Sequence, residues 1–196
     1  SIGSFFMHKN KNIVEKNFDL KKKKYDVICI GGNDLVPGGY YDICDNYNTD
    51  YLEHLNWLIK LKKDNPYLKI AFKHHKNNKN SYEEDILKPN NIEIINQDLN
   101  SYELCLKSKL ICSWCSTMII EMRVINSNSY FLDPCRRNDL FLHQIANRDV
   151  ISFTSYSALN KVIKNIDNLP TAEININEKF CYDFRDVIKK MMSCCE

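Results

Sequence analysis

From Tyr25 onward, short unbroken apolar runs alternate with longer stretches in which apolar residues recur every third or fourth position. "YDVICI" is β-branched and apolar and ends at Gly31-Gly32, which predicts a buried strand followed by a tight turn. Leu52, Leu55, Leu58, Ile59 and Leu61 recur at helical spacing, with Asp50 and Glu53 placed as a capping box and Pro66 as the stop. The alternation continues with strands at "LKIAF", "NIEII", "LICS" and "SYFLD". Between and after them, helices are predicted at "SYELCL", entered through Asn100 or Ser101, then at "TMIIEMRVI", "SALNKVIKNI" and "DFRDVIKKMM". Nearly continuous apolar strands separated by helices imply a parallel sheet covered on both faces, a doubly wound α/β domain. Residues 1–24 are weakly patterned and read as an arm, and nothing divides residues 25–196 in two.

Such sheets bind ligands at the carboxyl ends of their strands, so the strand ends carry the candidate chemistry. Gly31-Gly32 ends the first strand; paired glycines let backbone approach a phosphate or sugar, or simply make a turn. Lys73-His74-His75-Lys76 ends the second, a local cluster of positive charge suited to a phosphate. Adjacent imidazoles on a strand point to opposite faces, which makes shared ligation of one metal awkward.

"LICSWCSTMIIEM" raises a sharper question. Ser116 or Thr117 suits a helix N-cap, but two consecutive hydroxyls at a strand-to-helix turn also suit an anion, because free amides and the helix dipole converge there. Glu121 lies about one turn further on, among Met118, Ile119, Ile120 and Met122, where no solvent-facing acid is expected. A carboxylate one turn behind a phosphate site can accept hydrogen bonds from ribose hydroxyls. Cys112-Ser113-Trp114-Cys115 is a competing CxxC, read as a redox or metal motif, although its first Cys falls in the strand rather than at a helix start. Asp133-Pro134 closes the last strand, with Arg136 and Arg137 following.

Composition trims the alternatives. A net charge of +2 over 196 residues gives no broad nucleic-acid footprint. Lys21 to Lys24 read as a solvated flank, with attraction to a membrane surface as the alternative. The nine cysteines are odd in number, and Cys29, Cys105 and Cys112 sit inside apolar patterns, which suits a reducing compartment better than a disulfide framework. No run approaches the roughly 18 apolar residues of a membrane span.

The order of motifs, "K-x-H" after one strand, "SYELCLKSKLICSWCST", S-T-x-x-x-E and "YFLDP", resembles the C-terminal half of GT-B glycosyltransferases, most closely those of bacterial surface and capsule polysaccharide synthesis. "SIGSFF" resembles the segment that enters the interdomain linker of such enzymes. The resemblance implies a Rossmann-like domain, one half of a GT-B architecture, that binds an activated nucleotide-sugar donor. Lys73 and His75 match the family's Lys and His, Ser116 and Thr117 its hydroxyl pair, and Glu121 its acid; Lys76 stands where the family has Pro. In that family the His and the hydroxyls hold donor phosphates and the acid often contacts ribose, so His75 becomes the candidate catalytic residue, with Gly31 and Gly32 giving the donor room. His75 and the Ser116-Thr117 corner are then expected on neighbouring strand tips, facing one cleft. The resemblance further implies a glycan acceptor, an N-terminal acceptor-binding domain before Ser1, no cofactor beyond the donor, no metal, and a cytoplasmic setting with any peripheral association at the inner membrane surface. CDP-glycerol glycerophosphotransferases and nucleotide-sugar epimerases share these short motifs, and a non-catalytic Rossmann-like binding module remains a separate reading.

Overall fold

The computed structural model describes residues 22–32, 47–75, 82–95, 98–123, 127–136 and 151–170. The greater part of the arm, Lys76, Arg137 and the helix expected at "DFRDVIKKMM" lie outside these residues.

The described strands are β1 (Tyr25–Ile30), β2 (Ile70–Lys73), β3 (Glu93–Ile95), β4 (Ser108–Ser113), β5 (Ser129–Leu132) and β6 (Ser152–Phe153). The helices are α1 (Tyr47–Asp64), α2 (Tyr82–Leu87), α3 (Ser101–Leu106), α4 (Met118–Arg123) and α5 (Tyr156–Ile163). All strands pair in parallel in the order β3-β2-β1-β4-β5-β6. This is a doubly wound, Rossmann-like α/β sheet, as the alternating pattern predicts.

Both faces of each central strand are buried, which explains runs such as "VICI". Val27, Cys29, Ile70, Phe72, Leu110 and Cys112 point to one face, covered by Leu55, Leu58 and Leu61 of α1, Leu87 of α2, and Leu159 and Ile163 of α5. Ile28, Ile30, Ala71, Ile111 and Phe131 point to the other, covered by Leu104 and Cys105 of α3 and Ile119, Ile120 and Met122 of α4. Asn100 caps α3, its side chain accepting from the Tyr102 and Glu103 amides at 2.9 and 3.3 Å.

One local expectation changes, and two elements carry no signal in the sequence. Helix α1 begins at Tyr47, so Asp50 lies inside its first turn rather than capping it; Tyr51, ahead of the first leucine, is already buried. Helix α2 was hidden because "YEEDIL" is under two turns long and buries an acid, Glu83, at a position where periodicity looks for an apolar residue. Strand β6 is two residues long, too short to show any alternation.

In the order 3-2-1-4-5-6 the chain leaves β1 toward β2 on one side and returns to β4 on the other. The two connections diverge above β1 and β4, and this switch point is where the fold opens a crevice at its carboxyl edge.

Candidate functional site

Lys73, Ile30 and Ser113 stand in one row across β2, β1 and β4. The residues that follow them at the carboxyl edge are His74-His75, Gly31-Gly32 and Trp114 to Thr117, so all the candidate residues emerge from three adjacent strands. The tips of β2 and β4 are not neighbours, however; β1 lies between them. At about 4.8 Å per strand, His75 and the Ser116 corner rise from strands about 10 Å apart. One phosphate does not bridge such a gap, whereas a diphosphate with its attached groups does.

The β1 tip is tied down on both sides. Gly31 N–H donates to the Lys73 carbonyl at 2.8 Å. A Cβ on Gly31 would meet Phe72 Cζ at 3.0 Å and that carbonyl at 3.2 Å, so the close approach that requires glycine here is to β2. On the other side Ser113 Oγ donates to the Ile30 carbonyl at 2.7 Å and accepts the Ser116 amide at 3.0 Å. Ser113 was missed in the sequence because a strand-end serine beside two further hydroxyls carries no distinguishing signal.

The amides around the start of α4 are mostly engaged within the chain. Ser116 Oγ accepts from Met118 N at 3.3 Å, the Ser116 carbonyl from Ile119 N at 3.2 Å, and the Thr117 carbonyl from Ile120 N at 3.0 Å. The expectation of several free amides is therefore reduced to the Ser116 hydroxyl proton and the Thr117 N–H. Thr117 Oγ1 donates to Glu121 Oε1 at 3.2 Å, and Tyr102 OH of α3 donates to Glu121 Oε2. Glu121 is 8% exposed, and each of its oxygens already holds one donor.

The β2 tip separates its residues by face, as the period of two requires. Lys73 is buried on the α3 side, its ammonium 3.4 Å from the His74 carbonyl, and burial lowers its pKa against the pull of the nearby Cys105 and Asp98. His74 turns to the opposite face, edge-on to Phe72, with Nδ1 3.5 Å from Glu83 Oε2. Tyr51 OH donates to Glu83 Oε1 at 2.8 Å. Burial pushes the Glu83 carboxyl up, but the adjacent His74 imidazole and the hydrogen bond from Tyr51 outweigh it and hold the group below its usual range. Half-buried His75 is left at the mouth. Sequence reading found His75 but not the buried His74–Glu83–Tyr51 chain behind it.

Beneath the β1 and β4 tips lies a second polar element. His54 is fully buried on α1, with Nδ1 donating to the Tyr51 carbonyl at 2.8 Å and Nε2 3.7 Å from Cys29 Sγ. That donation fixes Nε2 as an acceptor, so the Cys29 thiol donates to it; burial holds this thiol well above its ordinary pKa. Burial lowers the His54 pKa to about 4, outweighing the opposing bond to Tyr51. Above the unfolded value near 6.5 both states are neutral and the full stability is present. As pH falls from about 6.5 to about 4, the unfolded chain takes a proton that the folded chain refuses, and stability drops. The expected loss from this group is about 3 kcal/mol, at ~1.36 kcal/mol per pH unit. Urea midpoints at pH 7 and pH 4.5 check it: the drop should be distinctly smaller in His54→Leu, and an equal drop would show that His54 is not its source.

The CxxC takes neither redox nor zinc form. Cys112 is fully buried in the strand with its pKa pushed up to about 12 by burial, so its thiol is not a nucleophile. Neither Cys112 nor Cys115 is in a disulfide, and Cys115 packs against the core. Among the described residues no three His, Cys, Asp or Glu side chains converge on a metal position. Asp133 is buried at the β5 tip, and exposed Arg136 takes a left-handed φ of 56°. A cleft of about 180 Å³ opens at the opposite, amino edge of the sheet. The polar groups that line it are already bonded: Lys23 Nζ to the Leu106 carbonyl at 2.8 Å, Lys109 Nζ to Asp167 at 2.6 Å, and Asn128 to the Pro170 carbonyl at 2.9 Å. Lys23 is thus half-buried, not a fully solvated flank.

The fold defines the class of protein: a doubly wound parallel α/β domain of the Rossmann-like type. No protein-family model matches the chain, and no curated protein or solved structure is significantly similar to it. No helix among the described residues is long and apolar enough to cross a membrane.

Proposed function

We propose that this chain is the donor-nucleotide-binding domain of a GT-B glycosyltransferase. The observation that carries the reading is positional. Lys73-x-His75, Gly31-Gly32 and Ser116-Thr117 with Glu121 follow β2, β1 and β4 at one edge and straddle the switch point, where doubly wound sheets bind nucleotides. In this reading the Ser116 hydroxyl and Thr117 N–H hold one donor phosphate above β1, and His75 approaches from the β2 side. As the bond between the sugar's anomeric carbon and the phosphate oxygen breaks, negative charge builds on the leaving nucleotide. Preorganised donors stabilise that charge, a contribution whose loss typically costs on the order of 10²–10³ in rate. Glu121 keeps an acceptor site on each oxygen and meets the ribose hydroxyls. The glycan acceptor and the general base belong to a partner domain. A glycerophosphotransferase or epimerase would use the same donor contacts.

A second reading is a Rossmann-like binding module without catalysis, favoured by the internal engagement of most α4 amides. The two separate in a thermal-stability panel with CMP, CDP, UDP, a CMP-sugar and inorganic phosphate. A ligand at ~100 times its Kd adds about 2.7 kcal/mol to stability. At least one nucleotide is expected to raise the midpoint well beyond phosphate, and Ser116→Ala should remove most of that rise. A panel with no preference among the ligands supports the module instead.

A further inference from the structure

The tie between α3 and α4 goes beyond the donor-phosphate contacts. Tyr102 reaches from one helix to the carboxylate of the other, where Thr117 takes the second oxygen. Asn100 fixes the Tyr102 backbone by capping α3. Burial and the adjacent Glu121 charge both raise the phenol's pKa, so it stays a hydrogen-bond donor. A carboxylate is an acceptor only, with about four lone-pair sites. It repels phosphate, so in the donor-nucleotide reading its place beside the Ser116-Thr117 corner is accounted for by a neutral partner that brings donors in a pair. A ribose offers such a pair in its vicinal diol. The two inner donors take one site on each oxygen and leave one on each.

On the basis of the donor-nucleotide reading above, we propose that Tyr102 is a positioning residue which, by holding the Glu121 carboxylate, makes the site selective for ribonucleotides over deoxyribonucleotides. Without the phenol OH, Glu121 Oε2 is free to turn or to take up water, and the diol loses its matched pair of acceptors. Phosphate contacts on β1, β2 and Ser116 are untouched.

The test uses the 196-residue chain and the nucleotide that stabilises it most, compared by titration calorimetry with its 2′-deoxy and 2′,3′-dideoxy forms. A hydrogen bond to a charged group supports a preference of at least about tenfold for the ribo form in the unaltered chain. In Tyr102→Phe, which keeps the ring and its packing, that ratio should fall to within about threefold while affinity for the dideoxy form stays the same. Glu121→Gln should lower the ratio likewise. A Tyr102→Phe chain that keeps the full ratio, or that loses affinity for ribo and dideoxy forms alike, overturns the proposal and leaves Tyr102 a structural tie. Absence of binding by any nucleotide overturns the donor-site reading itself, an outcome distinct from either.

Discussion

Trp114→Ala is expected to lower the unfolding free energy by about 3–5 kcal/mol, the range for truncating a large buried aromatic side chain. Trp114 is 1% exposed at the point where β4 gives way to the Ser116 corner. Its ring lies 5.5 Å from Tyr51 and 6.3 Å from His54, nearly parallel to the latter at 17°. It therefore supports the α1 side of the switch point, and its removal leaves a cavity that a strand tip held by Ser113 cannot close. Urea unfolding followed by circular dichroism measures the loss as a lower midpoint at unchanged slope. A loss under about 1 kcal/mol would mean that the indole does not fill the space beneath the edge.

The second large effect is expected at Glu83. Replacing it with alanine removes the shared partner of His74 and Tyr51, and breaking a buried pair by deleting one member typically costs about 3–5 kcal/mol. Local consequences extend to the β2 tip, since His74 anchors the turn that carries His75. Glu83→Ala should thus weaken nucleotide binding as well as stability, whereas Trp57→Phe in the same core should affect stability alone. A Glu83→Ala chain as stable as the original would show that the carboxylate is not held between the two helices and the strand tip.

Much of this architecture is legible in the sequence because the central strands are buried on both faces. "YDVICI" and "LICS" admit few other readings, and "SYELCL" forms a helix over the same six residues that its pattern predicts. What stays hidden has a common physical cause: it depends on partners far away in the chain. Strand order is one case. Nothing local to "LICS" says that β4 pairs with β1 rather than with β2, yet this separates His75 from Ser116 by a strand. Glu83 is another, an acid whose burial makes sense only once His74 and Tyr51 converge on it. Glu121 was visible as an anomaly among apolar neighbours, but the residue that explains its orientation, Tyr102, lies 19 positions earlier. Ser113 and Gly31 likewise hold β1 to its neighbours through contacts that motif spacing does not display.

At the centre stands a physical claim: β2, β1 and β4 present one continuous binding edge, and a nucleotide spans it from the Ser116 corner to His75. The most direct measurement is calorimetric titration of the chain with the best-binding nucleotide diphosphate and its monophosphate, repeated on Ser116→Ala, His75→Ala and the double variant. The account predicts that each single substitution weakens the diphosphate and that His75→Ala weakens the monophosphate far less. Equal binding of nucleotide and inorganic phosphate, or indifference to both substitutions, would contradict it.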